Sequence, residues 1–119
     1  MYGISSDFDP SFFVGKTLTQ VCIGFHEAIL RFDGDISITI MSDISHETSV
    51  GEVIAIYKAI GPSAPMLIGL LHLSVETAST RPPGTLILGF SGGEKIAIDD
   101  TFSEYESYII THKAAIICV

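Results

Sequence analysis

The feature that most constrains this chain is a match between two of its own segments. Leu30-Arg31-Phe32-Asp33-Gly34-Asp35-Ile36-Ser37-Ile38-Thr39-Ile40 aligns with Leu88-Gly89-Phe90-Ser91-Gly92-Gly93-Glu94-Lys95-Ile96-Ala97-Ile98 at a constant offset of 58, with Leu, Phe, Gly, Ile and Ile coinciding. Alternate residues (Ala28, Leu30 and Phe32, then Ile36, Ile38 and Ile40) are apolar. In a pleated strand such residues share one face. Asp33-Gly34 and Ser91-Gly92-Gly93 place residues that tolerate positive φ between the runs. Each copy therefore reads as a β-hairpin.

The likeness continues upstream, where Phe13-Val14-Gly15-Lys16-Thr17-Leu18-Thr19 lies over Leu70-Leu71-His72-Leu73-Ser74-Val75-Glu76 at an offset of 57. The duplicated units then span about 13–43 and 70–100. Thr17 to Ile23 and Ser74 to Ser79 are expected as further strands, as is the β-branched run Val53 to Tyr57. Tyr105 to Thr111 and Ala114 to Val119 read as a closing hairpin around His112-Lys113, with a single long strand as the alternative. Ser63 to Leu71 reads as a short helix, with Ser63 as cap and Pro65 in the first turn, where its missing N–H costs nothing. The fold class that follows is α+β. It is mainly an antiparallel β-sheet of about six to eight strands, built from two duplicated strand-hairpin units with one or two short helices, in a single domain over 1–119. Two copies are too few for a solenoid.

At 119 residues the chain buries enough surface for a core without disulfide or metal staples. Its composition is 47% apolar and 17% charged, with a mean hydropathy of +0.48. That charge content falls below the usual ~25%. It clothes a monomer thinly, which points to a symmetric homodimer covering some apolar surface. The net charge is −8, and the six basic residues (Lys16, Arg31, Lys58, Arg81, Lys95, Lys113) form no run. Counterion release from a phosphate backbone needs clustered cations, so no nucleic-acid partner is expected. No stretch approaches the ~20 apolar residues of a membrane span. Ala64 to Leu73 is broken by Pro65, Gly69 and His72. Met1 to Phe13 carries Asp7 and Asp9 and no basic residue, unlike a secretory signal, so a cytoplasmic location is expected. Cys22 and Cys118 sit among apolar neighbours and are expected as buried, reduced thiols.

Four groupings bear on chemistry. Asp99, Asp100, Glu104 and Glu106 cluster with Tyr105 and Tyr108. Neighbouring carboxylates can hold a divalent cation or share a proton. These, however, lack the D-x-[DN]-x-[DN]-G run of a calcium loop and fit a solvated turn. Asp43, His46 and Glu47 form D-x-x-H-E, but the helical zinc signature H-E-x-x-H needs a second histidine where Val50 stands. No Gly-x-Ser-x-Gly elbow supports a nucleophile. Gly92-Gly93 joins two strands and is a turn, not a phosphate cradle. No metal or cofactor is expected. The preferred expectation is a non-enzymatic accessory protein whose acidic, tyrosine-bearing surface meets a basic protein partner. That surface is formed by Asp99, Asp100, Glu104, Tyr105, Glu106 and Tyr108. The alternatives are a small metal-dependent or acid–base enzyme using the 99–106 carboxylates, and a homodimeric assembly domain.

The chain resembles a family of small bacterial proteins classed as a domain of unknown function. The resemblance runs nearly end to end through Gly15-Lys16-Thr17-Leu18-Thr19-Gln20-Val21, Phe32-Asp33-Gly34, Leu88-Gly89-Phe90-Ser91-Gly92-Gly93, and Asp99-Asp100 leading into Tyr105-Glu106-Ser107-Tyr108-Ile109-Ile110. It implies a cytoplasmic bacterial protein, by analogy an accessory or immunity-type one, and supplies no activity. Where such proteins open their second half with a Leu-Leu-Gly turn, this chain has His72 in place of the glycine.

Overall fold

Both expected hairpins form. In the computed structural model, which describes residues 8–24, 27–47, 53–58, 64–99, 108–113 and 115–119, β2 (Ala28–Phe32) turns at Gly34 into β3 (Ile36–Ile40). Likewise β7 (Thr85–Phe90) turns at Gly92 and Gly93 into β8 (Lys95–Ile98). The turn glycines take φ of 78°, 89° and 89°, where an L side chain is disfavoured. Phe32 and Phe90 are both buried, and the isoleucine rows behind them point inward.

The remaining strands are β1 (Leu18–Ile23), β4 (Asp43–Glu47), β5 (Val53–Lys58), β6 (Val75–Arg81), β9 (Tyr108–His112) and β10 (Ala115–Cys118). All pairings are antiparallel. The described residues thus hold ten strands, where six to eight in one sheet were expected. They form two five-stranded sheets, in the orders β1-β2-β3-β9-β10 and β5-β4-β8-β7-β6. The strand the sequence conceals is β4. Its Asp43, Ser45, His46 and Glu47 carry no strand-like apolar alternation, yet it is paired on both sides, by β5 and β8. The expected helices are two 3-10 segments, η1 (Pro10–Phe13) and η2 (Ala64–Leu70), and the described residues contain no α-helix. Asp9 caps η1 by accepting the Ser11 N–H at 3.0 Å.

The connections exchange strands between the sheets. After β3 the chain passes through Met41 and Ser42 into the second sheet, and after β8 it returns to the first as β9. The two corners hold each other. Ser42 Oγ donates to the Asp99 carbonyl, and Asp99 N–H donates to the Asp43 carbonyl at 3.1 Å.

At the opposite end Thr17 and Ser74 form a bridge, their hydroxyls 3.2 Å apart. Around it the bonds recur in pairs. Gly15 N–H to Val75 O matches His72 N–H to Leu18 O, both 2.8 Å, and Leu18 N–H to Leu73 O matches Val75 N–H to Lys16 O. Both β1 and β6 are bulged beside this bridge, between Leu18 and Gln20 and between Val75 and Thr77.

One core fills the space between the inner faces. Leu30, Ile38, Ile40 and Ile110 of the first sheet meet Ile44, Leu86, Leu88 and Ile98 of the second, with Phe13 of η1 and Leu67 of η2 joining them. Each such side chain contributes about 1.5–3 kcal/mol on burial. Phe13 meets Phe32 edge to face at 5.7 Å, and Phe12 stacks on His112 at 4.1 Å, fastening η1 to the last hairpin.

Candidate functional site

Of the six expected surface residues, Asp99 and Tyr108 lie among the described ones. Asp100, Glu104, Tyr105 and Glu106 lie outside them. Tyr108 departs from the expectation. Its ring has 0% exposure and its hydroxyl donates to the Gly84 carbonyl at 2.6 Å. It opens β9 opposite Ile40, on the inward face of the strand. A buried tyrosine needs a partner for its hydroxyl, and here the turn after β6 provides it. Tyr108 is a core anchor and presents nothing to a partner protein.

Asp99 is half-buried. Its carboxylate accepts from Ser45 Oγ at 3.3 Å, while its backbone joins the corner bonds. The connection from β8 to β9 is therefore fixed at both ends, by Asp99 against β4 and by Tyr108 against Gly84.

The D-x-x-H-E run is divided by strand alternation. His46 Nε2 meets Glu94 Oε2 at 2.5 Å, whereas Glu47 faces the other side and takes Arg81 Nη2 at 3.3 Å. Glu47 is only 2% exposed, a buried carboxylate with a guanidinium over it. Among the described residues no three His, Cys, Asp or Glu side chains gather as metal ligands would. Cys22 is a half-buried free thiol on the outer side of the first sheet, not the core residue its neighbours suggested.

The register across the first sheet builds its outer face. One row runs Gln20, Arg31, Ser37, Thr111 and Ile116, and the next runs Cys22, Ile29, Thr39, Ile109 and Cys118. Gln20, Arg31, Ser37 and Thr111 of the first row floor an open groove of about 660 Å³ whose turn end carries Asp33, Asp35 and Lys113. Asp33 Oδ1 accepts the Thr17 N–H at 2.8 Å, and Asp35 O accepts the Lys113 N–H at 3.0 Å. Lys16 lies against Gly34 of the same turn. Three cations scattered in sequence, Lys16, Arg31 and Lys113, are thus brought together at one end of the sheet. No local pattern signals this, because each comes from a different segment. The groove offers hydrogen-bonding and charged groups for non-covalent contact. The second row is apolar apart from Thr39.

The second sheet's outer face is covered by the chain itself only near its middle, and an open groove of about 390 Å³ lined by Glu76, Thr77, Ser79, Gly89 and Lys95 lies beside it. The row Ser79, Ile87, Ala97, Ser45 and Ile56 runs across its outer face. There Ala97 is 1% and Ser45 7% exposed, with Asp99 on Ser45 and Arg81 over the adjoining Glu47. No protein-family model, no curated protein and no solved structure matches this chain.

Proposed function

We propose that the chain is a non-enzymatic, cytoplasmic protein-binding module of accessory or immunity type, built from two duplicated units and recognising a basic protein surface. What supports the recognition is the fixed connection between Asp99 and Tyr108. Held at both ends by hydrogen bonds, it spans a sequence with Asp100, Glu104, Tyr105 and Glu106 and no basic residue. Anchored ends lower the ordering cost of a binding segment. The net charge of −8 favours encounter with a cationic partner. The duplication is supported by the sequence offset together with the hydrogen bonds that recur 57 residues apart about Thr17 and Ser74.

The test is affinity capture with the tagged chain from its native cells, comparing wild type with the triple variant Asp100→Asn, Glu104→Gln, Glu106→Gln. Expected is a basic partner that the variant loses and that added salt weakens. A partner held equally by both chains rejects the acidic segment as the contact. Tyr108→Phe belongs in a separate folding control, since its hydroxyl serves the core.

A second reading, a homodimeric assembly domain, is favoured by one observation. Ile116 of β10 is 68% exposed beside the half-buried Ile109 row.

A further inference from the structure

We draw no further inference here: the strongest candidate, the open groove on the outer face of the first sheet where Arg31 and Lys113 stand beside Asp33 and Asp35, carries none, because charges of both signs line it and nothing in the structure shows what covers it.

Discussion

His72 is the residue at which the chain departs most plainly from its own pattern. It occupies the place that Gly15 holds in the first half and adopts φ of 71° where Gly15 has 85°. Its N–H makes the equivalent cross-bridge bond, to Leu18 O. The left-handed region costs an L residue about 1–2 kcal/mol, part of which glycine returns through its freer unfolded state. His72→Gly should therefore stabilise the protein by about 0.5–1 kcal/mol, read as a rise in denaturation midpoint at unchanged slope. Tyr108→Phe should act in the other direction. It leaves the Gly84 carbonyl without its donor in a dry site and should cost about 1–2 kcal/mol with the fold retained.

Asp9 gives a pH signature. The Ser11 backbone N–H first, and the Ser11 side chain second, hold its carboxyl below the ordinary value. A depressed carboxyl adds stability above its unfolded pKa and loses it as pH falls through the folded one. Thermal melts of wild type and Asp9→Asn should thus converge as the solution is acidified through the carboxylate range. A gap that widens on acidification would contradict the capping role.

Among the elements, the β6–β7 hairpin shows best how one missing side chain shapes a sheet. Gly89 stands where the first half has Arg31, and a Cβ there would collide with Thr77 Oγ1. The bulge between Val75 and Thr77 brings Thr77 opposite Gly89. A glycine within a strand commonly marks such a close approach. Gly89→Ala should cost about 1–3 kcal/mol as an overpacking change. Adding Thr77→Ala should restore much of that loss. Denaturation of the four chains in a double-mutant cycle measures the coupling, and strict additivity would show that the hydroxyl is not the obstacle.

At the scale of the whole molecule, the exchange of β4-β5 and β9-β10 between the sheets makes each half incomplete. The first sheet takes β1, β2 and β3 from one half and β9 and β10 from the other. A fragment ending before η2 would leave Ile38 and Ile40 without the β9 residues they pair with or face. Separately prepared segments 1–62 and 63–119 should be unfolded alone by circular dichroism. Mixed in equal amounts they should recover β-sheet signal and cooperative melting. Independent folding of either segment would contradict the exchange as a source of cohesion.

Local chemistry alone determined the hairpins of this chain. Alternating apolar residues, and turn glycines needing positive φ, specify their strands within a dozen residues, so Phe32, Phe90 and the isoleucine rows could be placed from the letters. The closing hairpin at His112-Lys113 was less legible, because its turn has no glycine and Lys113 itself takes φ of 57°, so a single long strand fitted the letters as well. Tertiary structure alone decided what depends on partners distant in sequence. It made the polar segment Asp43–Glu47 a central strand, because β5 and β8 satisfy its backbone on both sides. It turned Tyr108 inward to Gly84, divided His46 from Glu47, and gathered Lys16, Arg31 and Lys113 at one turn. Strand alternation is a property of neighbours in the chain, whereas burial and pairing across a sheet are properties of the assembled fold.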